Sequence, residues 1–159
     1  MLAFRLCPYM YEPILAGALL ALLATVTVCD LRARVIPDWA LVPAAAVAIA
    51  AALIAQPETL VERLGSGVGA GGFLLAAALI RPDGMGLGDV KLAAVLGLFL
   101  GRPVAGALLV ALLAGTAWGF GLAVSRGVPA SEATIPFAPF LATGAAVALI
   151  APDTVGGWN

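Results

Sequence analysis

The sequence predicts an all-α integral membrane protein, a bundle of about six transmembrane helices, and three observations carry that expectation. Of 159 residues, 63% are hydrophobic and only 11% are charged, against about 25% charged in soluble domains. The mean hydropathy is +1.11, and a soluble globule of this length has too little interior to hide so much apolar surface. Finally, the apolar residues fall into six runs punctuated by charge, proline and glycine.

The first run, Pro13–Cys29, follows Arg5 and ends at Asp30. No small-x-small cleavage site comes after it, so it reads as a retained helix and not as a removed signal peptide. Trp39–Ala55 and Gly67–Ile80 are the second and third runs. The fourth, Val90–Leu100, is the shortest, bounded by Asp89 and by the turn Gly101-Arg102-Pro103. A helix needs about 20 residues to cross about 30 Å of hydrocarbon, so either Asp89 lies below the membrane surface or its flanks are drawn in. Val104–Val124 and Ile135–Ile150 complete the set. Spacings such as Gly97/Gly101 and Gly115/Gly119 are expected to let helix backbones approach closely. With no internal repeat and no linker, residues 1–159 read as a single transmembrane domain.

Composition also limits the chemistry. Eight Lys and Arg residues against nine Asp and Glu, scattered singly, give no basic stripe for nucleic acid. His is absent, and Cys7 and Cys29 stand far apart without a CxxC, which argues against zinc hydrolases, His-based triads and iron–sulfur chemistry. No metal and no cofactor is expected. Catalysis would rest on carboxylates, the single Lys91 or hydroxyls.

Most acids, namely Glu12, Glu58, Glu62, Glu132 and Asp153, together with Arg63, are read as solvated charges in connections or near the termini. Asp30 and Asp89 differ, because ionisable groups beside apolar spans are expensive to keep there. Asp30 ends the first span and Asp89 opens the fourth, so by parity both stand at the same membrane face. Arg32, Arg34, Arg81, Lys91 and Arg126 lie on that side, and Arg5, Arg63 and Arg102 lie opposite. Five against three biases the face of the aspartates toward the cytoplasm. Each aspartate has a plain alternative: Asp30 as the partner of Arg32 or Arg34, and Asp89 as an N-cap.

Against the second alternative stands Gly84-Met85-Gly86-Leu87-Gly88-Asp89-Val90-Lys91. Its alternating glycines remove side chains, permit backbone conformations closed to other residues, and suit a stretch that lies against another chain. Two carboxylates brought together can share one proton. The ionised one then activates water while the protonated one donates to the scissile carbonyl oxygen, which is peptide hydrolysis by an aspartic dyad. A Ser–Lys dyad built on Lys91 ranks lower: Ser66 falls on the opposite face, and Ser125 and Ser131 sit in an unframed polar loop. Lys91 reads as an electrostatic partner, a substrate contact or a positive-inside anchor.

These residues resemble the type IV prepilin peptidases, the bacterial branch of the GxGD-type membrane aspartic proteases. Asp30 followed by Val35-Ile36-Pro37 is similar to the family's Asp and Ile-Pro-Asn motif, with Asp38 where Asn is usual. Gly86-Leu87-Gly88-Asp89-Val90-Lys91-Leu92 resembles GxGDxKL. Ile135-Pro136-Phe137-Ala138-Pro139-Phe140 resembles Ile-Pro-Phe-Gly-Pro-Phe, with Ala138 in place of a Gly.

The resemblance implies that Asp30 and Asp89 are the catalytic pair, that Gly86, Gly88, Lys91, Ile36 and Pro37 support it or line the substrate's approach, and that no metal takes part. It implies a multi-pass protein of the bacterial inner membrane, with its site facing the cytoplasm and a prepilin or pseudopilin as substrate. Asp38, Asp83 and Glu132 are candidate contacts for a basic leader. Twelve residues before the first span and no CxxC resemble the short form found with tight-adherence (Flp) pilus systems, so peptidase activity is expected without an N-terminal methylation domain. The rival expectation is a small proton-coupled transporter or a non-catalytic pilus-assembly scaffold.

Overall fold

The computed structural model describes residues 3–80, 85–126 and 137–150, with side chains from Pro13 onward except that of Arg126. Six α-helices run in the order α1 Ala3–Ala33, α2 Asp38–Ala55, α3 Leu60–Ile80, α4 Leu87–Leu100, α5 Val104–Arg126 and α6 Ala138–Ile150, with a single 3₁₀ turn at Pro57–Thr59 and no strand among the described residues. The all-α bundle expected from the six apolar runs is therefore present. Segments in α1, α2, α3 and α5 are long and apolar enough to cross a membrane. Large side chains such as Ile54, Val61, Val68, Leu113, Phe120 and Ile150 point outward and are exposed. In water such a surface would drive aggregation, whereas in lipid it is the contact face.

The shortest run becomes the innermost helix. Fourteen residues of α4 rise about 21 Å, less than the hydrocarbon thickness. The helix compensates by packing on α2, α3, α5 and α6, which bury Leu92, Ala93, Val95, Leu96 and Phe99. Gly101 closes it with φ +66, a left-handed conformation that suits glycine, and its N–H donates to the Gly97 carbonyl at 2.9 Å.

Small residues set the helix separations. A Cβ added at Gly97 would lie 2.5 Å from the Cα of Gly67, and one at Gly71 would lie 2.9 Å from the Cβ of Ala94, so α3 and α4 touch backbone to backbone. The same device joins α6 to α5, where a Cβ on Gly144 would overlap the carbonyl oxygen of Ala107. Gly97 thus has the packing role expected of it, whereas Gly115 makes room for the ring of Phe137 and not for a helix backbone, and Gly101 is a helix terminator.

One expectation is corrected. Helix α3 begins at Leu60, ahead of the apolar run, so Glu62 and Arg63 belong to a helix and not to a connection, with Glu62 exposed. Arg63 is half-buried and donates from Nη1 to the carbonyls of Leu98 and Phe99 at 3.2 and 2.6 Å, from Nη2 to Gln56 Oε1 at 3.3 Å, and from Nε to Thr59 Oγ1 at 3.1 Å. The last carbonyls of a helix have no partner within it. Arg63 supplies one for α4, with the charge sign that a helix C-terminus favours. Replacing Arg63 by Met is expected to cost about 2 kcal/mol, read as a lower thermal midpoint in detergent, while Lys should recover part of the loss.

Candidate active site

Asp30 stands three residues before the end of α1, and the chain turns immediately after it. The Arg34 N–H donates to the Asp30 carbonyl at 2.9 Å, and Arg34 itself has φ 52. That left-handed residue breaks the helix and sends the chain through Val35 and Ile36 to Pro37. Pro37 is extended and caps α2, its carbonyl accepting from the N–H of Ala40 at 3.1 Å. On the other side, Gly86 caps α4 without a side-chain bond, and the Asp89 N–H donates to its carbonyl at 3.1 Å.

Both plain alternatives for the aspartates fail on this geometry. Asp89 lies within the first turn of α4, and Gly86 occupies the cap position, so Asp89 is not an N-cap. Asp30 pairs with neither Arg32 nor Arg34: the ion pairs among the described residues are Lys91–Asp38 and Arg102–Glu62. Instead, Asp30 Oδ2 accepts the backbone N–H of Ala138 at 3.1 Å. Ala138 opens α6, and the N-terminus of a helix offers unpaired donors and partial positive charge to a carboxylate. The Ala that replaces the usual Gly in this stretch keeps the N–H that makes the contact. Asp30 and Asp89 are the two buried charged residues described, 7% and 9% exposed, and they lie within Coulombic reach of each other.

Gly86 and Gly88 act through the side chains they lack, as expected, and not through an unusual backbone. Gly86 has φ −76 and ψ 147, a conformation open to any residue, and Gly88 is helical; what matters is the missing side chain. A Cβ on Gly88 would lie 2.9 Å from the Cβ of Ile36, so the turn after Asp30 lies directly on the turn before Asp89. Gly86 is exposed, and a Cβ there would meet Asp89 Oδ2 at 3.6 Å and little else. It leaves an open flank beside a buried carboxylate. Lys91 reaches away from both aspartates to Asp38, with Nζ 2.9 and 2.8 Å from its two oxygens. Asp83, Gly84, Glu132, Ile135 and Pro136 lie outside the described residues.

Residues 17–120 match the type IV leader peptidase family. The chain belongs to that family. Among similar curated proteins is a prepilin leader peptidase/N-methyltransferase of Bacillus subtilis (strain 168), 33% identical over 141 residues, which are 88% of this chain and 56% of the relative. Proteins of the same name from Aeromonas salmonicida (strain A449) and Burkholderia pseudomallei (strain K96243) are 40% and 44% identical over 81 and 68 residues. Those stretches are 50% and 42% of this chain, and 28% and 22% of the respective relatives. The chain thus spans about half the length of the Bacillus protein or less of the others. No solved structure matches it.

Neither the contact that frames Asp30 nor the one that closes the far end of α4 has a clear sequence signal. The Ala138 N–H carries no side-chain signature, and its only trace is the aromatic-proline stretch at the head of the last run. Arg63 had a trace too, as a lone cation at the edge of a glycine-rich run.

Proposed function

We propose that this chain is a membrane aspartic endopeptidase that removes the short leader from type IV, Flp-like prepilins or pseudopilins at the cytoplasmic face of the bacterial inner membrane. The observation that carries the reading is a pair of buried carboxylates, on α1 and α4, near enough to interact electrostatically, in a helical bundle belonging to the leader peptidase family.

The reaction follows from their chemistry. One carboxylate accepts a proton from water as the water oxygen bonds to the scissile carbonyl carbon, and the other donates a proton to the carbonyl oxygen. Collapse of the tetrahedral adduct then breaks the C–N bond, with a proton passing to the leaving amine. A backbone N–H can only donate, so the bond from Ala138 holds Oδ2 of Asp30 as an acceptor and orients its carboxylate. Membership in the family together with a substrate that is itself a membrane helix favours a dyad at a helix end, where water is at hand. Two carboxylates perform hydrolysis, and the reading gives them no part in methyl transfer.

Coexpression with a type IV prepilin, followed on a gel that resolves leader removal, tests the proposal: conversion that depends on both aspartates is expected, and an unprocessed pilin beside well-expressed wild-type protein overturns it. The open flank at Gly86 adds a second expectation. Gly86→Val keeps an accessible backbone conformation but places a branched side chain beside Asp89, and is expected to slow cleavage about tenfold or more while leaving the thermal midpoint in place.

A further inference from the structure

Helices α1 and α4 carry the two aspartates yet share little direct packing; α4 lies chiefly on α3, and the elements that touch both α1 and α4 are α2 and α6. With α4 seated on α3, the separation of the carboxylates depends on what ties the two shared neighbours to α1 and α4. On the α6 side the tie is the Ala138 N–H on Asp30. On the α2 side it is the pair formed by Asp38, the first residue of α2, and Lys91, two residues past Asp89 in α4.

That pair is bidentate, with Lys91 Nζ at 2.9 and 2.8 Å from Oδ1 and Oδ2 of Asp38. It is the polar side-chain contact that joins α2 to α4 among the described residues. Both side chains are more than half exposed, 54% and 62%. Exposed pairs of this kind contribute little to global stability, so its geometry matters more than its strength. Between Asp30 and Asp38 runs only the turn that leaves α1 through the left-handed Arg34 and seats Ile36 on Gly88. A non-glycine residue keeps such a conformation where its surroundings hold it. The chain from Asp30 through the turn to Asp38, across the ion pair to Lys91 and back to Asp89, forms a closed ring with the reacting carboxylates on it.

We infer that the Asp38–Lys91 pair is a positioning clamp that holds the Asp30 and Asp89 carboxylates at their working separation, and that neither residue of the pair touches the substrate. The inference rests on the reading of Asp30 and Asp89 as the reacting pair. It gives Asp38, which replaces the Asn usual at that position, a partner that an uncharged amide would hold less firmly. Displacements of about 1 Å in a reacting constellation cost up to about 10²-fold in rate, so a pair of little value to folding can still matter to turnover.

The test is steady-state cleavage of a purified type IV prepilin by the full chain in detergent. Lys91→Met and Asp38→Ala are each expected to lower kcat about tenfold with KM within about twofold of wild type and the thermal midpoint unchanged. The double variant should be no slower than either single one, because one interaction is lost once, and Lys91→Arg should recover most of the rate. Wild-type kcat should also fall as salt rises from low ionic strength, a dependence that the double variant loses; this readout uses the folded wild-type protein, and its absence overturns the clamp even if a variant fails to accumulate. A slow Lys91→Met beside an unimpaired Asp38→Ala, a roughly hundredfold loss in the double variant, or a raised KM at unchanged kcat would each overturn it in favour of Lys91 acting on the substrate. Asp30→Asn and Asp89→Asn run in the same assay separate the two readings. If these are silent while the pair's variants match wild type, the clamp alone fails; if they cleave normally, the dyad itself fails.

Discussion

Asp30→Asn and Asp89→Asn are each expected to abolish leader removal in cells and to lower cleavage by about 10²–10⁴-fold in detergent, the usual worth of a positioned acid or base. The substitution is conservative in every respect but the chemistry. Asn has nearly the shape of Asp, and at position 30 its Oδ1 can still accept the Ala138 N–H that Asp30 Oδ2 accepts now. A neutral amide is also cheaper to bury than a carboxylate, and both positions are buried. Both variants should therefore accumulate and melt at or above the wild-type temperature. The double variant should be no more defective than either single one, since groups that act as a unit do not contribute additively. A gel on which either single variant processes prepilin at the wild-type rate would remove the dyad from the mechanism.

The largest effect on stability is expected at Gly97. Its α-carbon faces the backbone of α3, and a Cβ there would lie 2.5 Å from both N and Cα of Gly67. Backbone cannot swing aside as a flexible side chain does, so even Gly97→Ala must push α3 and α4 apart along their closest seam. A loss of about 3 kcal/mol or more is expected, at the upper end of overpacking costs, together with loss of activity, because α4 carries Asp89. The contrast is Gly72→Ala. Gly72 lies in α3, as Gly67 does, but a Cβ there meets nothing within 4 Å, so alanine should be neutral or stabilise by about 0.5–1 kcal/mol through its helix propensity. Thermal unfolding in detergent distinguishes the two, and equal midpoints would show that the α3–α4 seam can relax.

Much of this site is legible along the chain, though for uneven reasons. The six runs are local signals, since a segment in lipid must satisfy its own backbone hydrogen bonds and does so as a helix wherever it is apolar for long enough. Parity alone then puts Asp30 and Asp89 at one end without any knowledge of packing. The limits appear where a residue's role depends on what faces it. Gly86 and Gly88 look alike in sequence as glycines of an alternating stretch. One flanks a carboxylate and stays open, while the other is filled by Ile36. Arg63 reads as a loop charge because the apolar run starts after it, yet the helix starts before it and its guanidinium serves the carbonyls of α4. Lys91, two places from Asp89 in the chain, turns toward Asp38, a direction that spacing does not specify.

The sequence by itself thus determined a helical membrane bundle, the order and approximate limits of its spans, and the pair of acids whose position within it solvated loop charge does not explain. Only the tertiary structure decided that Asp30 accepts from a backbone N–H 108 positions away, that Asp89 lies inside a helix and not at its cap, and that the turn after one aspartate rests on the glycine before the other. The division has a physical cause. Insertion of an apolar helix depends on neighbours within a few turns, whereas the approach of two side chains depends on how small residues let helices pack, and that packing joins positions remote in the chain.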